Sequence, residues 1–148
     1  DFIEVEESKT EYNLLRKDLI HYLLKTFSEN TDSEYPQRIF ETGKVFSQKK
    51  DKFTEKEMLA AALVSGNFTE MKQILLYLSE MIALNFEFKE TESFPNWFID
   101  GRVAEIFLEG KSLGFLGEIH PKILKNWKIK MPVALFEIDL EEIFNRLI

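Results

Sequence analysis

The chain has 148 residues, 45% of them hydrophobic, which is enough for one domain with a full core. Its formal charge of −7 argues against the chain gripping a nucleic-acid backbone over a wide surface, so any nucleic-acid contact would have to be local or shared with a partner. The absence of cysteine excludes a disulfide framework, a thiol nucleophile and a Cys-based zinc site, and fits an intracellular, cytoplasmic chain. Fourteen phenylalanines point to a thick core, an apolar partner surface, or both.

No apolar run reaches the roughly 20 residues that span a bilayer, so no membrane partner is expected. The charged start Asp1-Phe2-Ile3-Glu4-Val5-Glu6-Glu7 is not a signal peptide, and the lack of an initial methionine suggests a piece of something longer.

From residue 14 to about 30, Leu15, Leu19, Tyr22 or Leu23, and Phe27 fall at helical spacing, with Leu14, Ile20 and Leu24 forming a second strip beside them. A helix covering a sheet needs one strip. The extra width predicts a face buried against another subunit, on Leu15, Leu19, Ile20, Leu23, Leu24 and Phe27; a helix sunk in its own domain gives the same pattern. Residues 38–47 alternate like a strand, which puts Arg38 and Glu41, three apart, on opposite faces.

Residues 54–64 are ambiguous. Thr54 and Glu57 have capping-box spacing and three alanines favour helix, whereas the short run ending at Ser65-Gly66 fits a strand buried on both faces. Residues 68–85 carry Met71, Ile74, Leu75, Leu78 and Ile82 on one helical face. A short strand is expected at 86–88, and a hairpin from 103–108 to 113–119 around Gly110. Pro121 can start a short helix, 133–138 reads as an interior strand, and Asp139 can cap a last helix over 140–147. Strands interspersed with a few helices indicate an α+β domain, a mainly antiparallel sheet flanked by helices.

Few residues suggest chemistry. His21 and His120 lack the neighbours of a metal site and read as structural. Gly110, Gly114 and Gly117 stand in the wrong order relative to Lys111-Ser112 for a phosphate loop, and Gly114 and Gly117 are better explained as bulges or close backbone approaches. Glu137 lies between Phe136 and Ile138 in an apolar strand, and a buried carboxylate needs a partner. Arg38 or Arg102 could supply it; a structural ion pair and a catalytic acid are both open, the former favoured because no second carboxylate sits at a useful spacing.

Five motifs stand in order: Leu14-Leu15-Arg16-Lys17-Asp18-Leu19; Pro36-Gln37-Arg38-Ile39-Phe40-Glu41-Thr42-Gly43; Phe98-Ile99-Asp100-Gly101-Arg102-Val103-Ala104; Gly114-Phe115-Leu116-Gly117-Glu118-Ile119-His120-Pro121; and Phe136-Glu137-Ile138-Asp139-Leu140. Together they resemble the catalytic-like module of the phenylalanyl-tRNA synthetase beta subunit, in its archaeal and eukaryotic form, over essentially the whole chain. The resemblance implies a class II aminoacyl-tRNA synthetase fold and a strand at 58–64. It also implies an alpha-subunit partner within an (αβ)₂ assembly, a contribution of the first helix to that assembly, and tRNA bound through the holoenzyme. The same resemblance implies no catalytic residue and no cofactor in this module, with ATP and magnesium acting in the alpha subunit of the holoenzyme.

Against an active class II site the departures are an Arg-x-x-Glu spacing at Arg38 and Glu41, and acidic Glu137 and Asp139 where a glycine-rich strand and an arginine would serve ATP. These four are read as a degenerate motif, and residues 1–148 as one catalytic-like module of a longer subunit. A free-standing adenylate-binding enzyme is the alternative tested by ATP and magnesium calorimetry. An RNA-binding module separated from its synthetase is tested by filter binding.

Overall fold

In the computed structural model, which describes residues 3–6, 14–50 and 52–148, one six-stranded sheet runs in the order β1-β2-β6-β5-β4-β3 with every neighbouring pair antiparallel. The strands are β1 (Gln37–Lys49), β2 (Lys52–Val64), β3 (Phe86–Lys89), β4 (Phe98–Leu108), β5 (Lys111–Ile119) and β6 (Val133–Asp139). The helices are α1 (Ile20–Glu29), α2 (Phe68–Met81), α3 (Pro121–Asn126) and α4 (Leu140–Leu147). Helices α1 and α3 pack on one face of the sheet, and α2 and α4 on the other, giving two apolar cores with the sheet between them.

Strand β2 settles the ambiguity of residues 54–64. It pairs with β1 over its whole length and with β6 from Met58 to Val64, so its inner half is central. Ala60, Ala62 and Val64 face the α1 core while Leu63 faces the α2 core, as burial on both sides requires. Pairing on two edges outweighs the few tenths of a kcal/mol per residue by which alanine favours helix. Thr54, free of a capping role, bonds Ser47 across the hairpin at 2.6 Å.

The hairpin between β4 and β5 turns on Glu109 and Gly110 alone, at φ 50° and 78°, and Lys111 and Ser112 already belong to β5. Two positive φ values in a two-residue loop match the twist of the flanking strands. Asn67 and Glu70 close a full capping box on α2: the Glu70 N–H donates to Asn67 Oδ1 at 3.0 Å and the Asn67 N–H to Glu70 Oε2 at 3.1 Å. Asp139 caps α4, accepting from the Glu142 N–H at 3.2 Å, as its position before an apolar helix predicts. His120 does the same for α3 through Nδ1, at 3.1 Å from the Lys122 nitrogen.

Two expectations for the first helix change. The helix begins at Ile20, whereas Leu14 lies in an isolated bridge with Glu4. And the proposed subunit face is this domain's own core: Leu19 is 0% exposed and Leu23 3%, with Ile20, Leu24 and Phe27 equally enclosed against the sheet and α3, and Leu15 half-buried. The width of the apolar face comes from the helix sinking into the sheet. Apart from Leu14, which precedes the helix and is 48% exposed, both strips are consumed inside the chain, each enclosed side chain stabilising by about 2 kcal/mol.

Candidate functional site

Alternation along β1 decides what the Phe40-Glu41-Thr42-Gly43 motif can do. Glu41 and Gly43 point to the α1 side of the sheet, Arg38 and Phe40 to the α2 side. Arg38 and Glu41 therefore do not meet. Glu41 instead receives a charge-assisted hydrogen bond from Arg16 Nη1, and Arg16 Nε donates to the Lys44 carbonyl at 2.8 Å. A Cβ at position 43 would lie 2.0 Å from Arg16 Nη2, so glycine there leaves the seat that the guanidinium occupies. The motif holds an arginine of its own chain, whose cation also lies 5.7 Å from the Tyr22 ring centre.

One strand pair further in, Glu137 of β6 faces the start of α1. The Leu19 N–H donates to Glu137 Oε2 at 2.6 Å, so the carboxylate takes a backbone donor of the helix's first turn, where no side chain at Leu19 caps. Burial pushes the Glu137 carboxyl up to about 7; the Leu19 hydrogen bond opposes the rise, Asp18 adds to it, and Arg16 lowers it. Neither expected arginine is its partner. Arg38 is on the opposite sheet face, and Arg102 is bound to Glu118 at 2.8 Å. A close approach of strands completes the arrangement: Gly114 of β5, at φ 152°, has room for no Cβ because one would sit 1.9 Å from the Glu137 carbonyl oxygen.

Asp139, at the end of β6, is buried, with Lys56 Nζ 2.8 Å from its second oxygen. The four residues read as a degenerate motif thus divide. Glu41, Glu137 and Asp139 are bound to Arg16, the α1 start and the α4 start with Lys56, while Arg38 is exposed and has no ion pair among the described residues. A triphosphate would meet two carboxylates on the α1 face and no arginine free to receive it there, so these residues do not fit ATP. Arg16 was the residue missed at this site. Its position in the Leu14 to Leu19 motif was visible, but nothing in its spacing shows that it crosses 25 residues to reach Glu41.

On the α2 side, Arg38 borders an open groove of about 590 Å³ between α2 and β1, β2 and β6, walled by Leu59, Ala61 and Phe136. Its rim is apolar and exposed: Phe40 is 75% exposed, Tyr77 65% and Met81 68%. Large apolar side chains gathered in this way mark a contact surface more often than scattered ones do. Among the described residues no group of three His, Cys, Asp or Glu is placed to hold a metal ion, and no helix is long and apolar enough to cross a membrane.

The architecture matches solved synthetases. A pyrrolysyl-tRNA synthetase of Desulfitobacterium hafniense superposes with a TM-score of 0.72 over 97% of this chain and 51% of that one, at 20% identity, which shows a shared class II fold. The phenylalanine–tRNA ligase beta subunit of Thermococcus onnurineus is 42% identical over 149 residues, covering 97% of this chain and 26% of that protein. The same subunit of Pyrococcus abyssi is 40% identical over 139 residues, covering 90% and 25%. The chain thus spans about a quarter of the length of these relatives. The model of the phenylalanyl tRNA synthetase beta chain CLM domain matches residues 3–140. With that match over nearly all of its length, the chain belongs to the phenylalanyl-tRNA synthetase beta chain CLM domain family.

Proposed function

We propose that this chain is a non-catalytic module of a phenylalanine–tRNA ligase beta subunit, which supports assembly with an alpha subunit for the charging of phenylalanine tRNA. ATP and magnesium act in the alpha subunit of that holoenzyme, in the cytoplasm. The observation that carries the reading is the occupation of Glu41, Glu137 and Asp139 by structural partners within the chain, which leaves none of the three free to serve a nucleotide. Catalysis by such a site needs donors aimed at developing charge, and here Arg16, Lys56 and the N–H groups at the starts of α1 and α4 donate to the chain's own carboxylates.

With both strips of α1 enclosed, the exposed apolar rim on Phe40, Tyr77 and Met81 is the surface we assign to the alpha subunit. Co-expression with a phenylalanine–tRNA ligase alpha subunit tests this. The two chains co-purify, a Phe40→Asp, Tyr77→Asp variant folds but loses the partner, and this chain alone gives no ATP–pyrophosphate exchange. Exchange by this chain alone, or no co-purification of the unaltered chain, would refute the reading.

A further inference from the structure

Residues 119–132 form the most basic stretch of an acidic chain. Lys122, Lys125, Lys128 and Lys130 fall within nine residues, and no Asp or Glu occurs between Ile119 and Pro132. All four lysines are exposed, and none is in an ion pair among the described residues, whereas Lys44, Lys56 and Lys111 each sit within 3 Å of a carboxylate. The segment contains α3 and the turn into β6, and the fold bends it back on itself: the Ile129 N–H bonds the Leu124 carbonyl at 2.9 Å and Lys128 takes a φ of 57°.

That bend gathers Lys125, Lys128 and Lys130 around one open hollow of about 480 Å³, whose lining also includes Arg102. The hollow's lining is otherwise largely apolar, with Ile99, Leu124 and Met131 among it, and its size lies within the range of about 300–1,000 Å³ typical of ligand sites. Glu118, the only carboxylate in the lining, is already bound by Arg102 and by the Phe68 N–H. The site therefore presents uncompensated positive charge around an apolar recess, which is the arrangement that receives an RNA strand: phosphates on the lysines and an unstacked base in the recess.

We infer that the corner between α3 and β6 is a direct RNA contact of this module, with Lys125, Lys128 and Lys130 bound to backbone phosphates and the recess beside them taking a base. The inference rests on the reading of the chain as part of a tRNA ligase and adds to it a place where the module itself touches tRNA. It also reconciles the contact with the net charge of −7, because an acidic chain can bind RNA only where its cations are segregated from its carboxylates.

The test is fluorescence anisotropy of a labelled phenylalanine tRNA transcript with the 148-residue chain, alone and with its alpha subunit, over a series of salt concentrations. Replacing Lys125, Lys128 and Lys130 with alanine weakens binding about tenfold or more and lowers the log–log salt slope by about 2–3, one for each lost phosphate contact. The triple arginine variant restores both, and replacing Lys49, Lys50 and Lys52 at the tip of the β1–β2 hairpin leaves the slope of this contact in place. Equal binding by the triple alanine variant, no binding by the unaltered chain in low salt, or lysine-dependent binding to phosphatidylserine vesicles in place of tRNA each overturns the inference. Co-purification with the alpha subunit, measured on the same variants, separates the outcomes: if it persists while tRNA binding is unchanged, only the RNA contact falls.

Discussion

Replacing Glu137 with glutamine tests the account of the β6–α1 contact through its pH dependence. The carboxyl rises from 4.5 in the unfolded chain to about 7 in the fold, chiefly through burial. Between these values the folded chain holds a proton that the unfolded chain has released, so stability falls as pH rises. The contribution is fully present below the unfolded value and is lost as pH passes the folded one; the difference corresponds to about 3 kcal/mol. Glutamine carries no charge at any pH and its oxygen can still accept the Leu19 N–H. The stability of the variant minus that of the unaltered chain therefore climbs by about 3 kcal/mol between about pH 4 and about pH 8, whatever other groups titrate in common. Urea unfolding followed by far-ultraviolet circular dichroism at a series of pH values gives the difference curve. A flat curve, or one that falls with pH, would show that the Leu19 hydrogen bond and not burial governs the carboxyl.

Two further outcomes follow from the α1 face and the Arg16 seat. Leu19→Ala or Leu23→Ala costs about 2–5 kcal/mol in chemical unfolding because each opens a cavity in the chain's own core, and glutamate at both positions gives no folded protein; a soluble, folded double glutamate variant would mean the helix faces a partner after all. Arg16→Ala and Glu41→Ala combined in a double-mutant cycle show a coupling of about 1 kcal/mol, and Arg38→Ala changes stability by less than about 0.5 kcal/mol. Coupling of Glu41 to Arg38 in the same cycle would contradict the assignment.

Much of this architecture was legible in the amino-acid order because it depends on local rules. The Asp139 cap, the Pro121 start and the turn at Gly110 each follow from what one or two residues can do, and each stands where those rules put it. The need of Glu137 for a partner was equally legible from its apolar neighbours. The identity of that partner was not, since a backbone N–H 118 residues away has no signature in composition or period. The first helix shows the same limit from the other side. Its periodicity gives the width of the apolar surface correctly, but the same leucines serve whether the covering atoms belong to this chain or to another, and only packing tells the two apart. Local propensity failed at residues 54–64, where two neighbouring strands outvoted the alanines.

The Arg16 seat has a consequence for how the protein behaves in concentrated solution. Strand β1 is one of the two outer strands of the sheet, and an outer strand offers its unpaired backbone to any other extended chain. The Arg16 carbonyl accepts from the Phe46 N–H at 2.8 Å while its side chain takes the Lys44 carbonyl, so one residue blocks donor and acceptor together at the middle of that border. The arginine held by Glu41 and Gly43 is therefore also a guard against self-association. The Phe-Glu-Thr-Gly motif, by holding that arginine in place, helps keep the sheet finite.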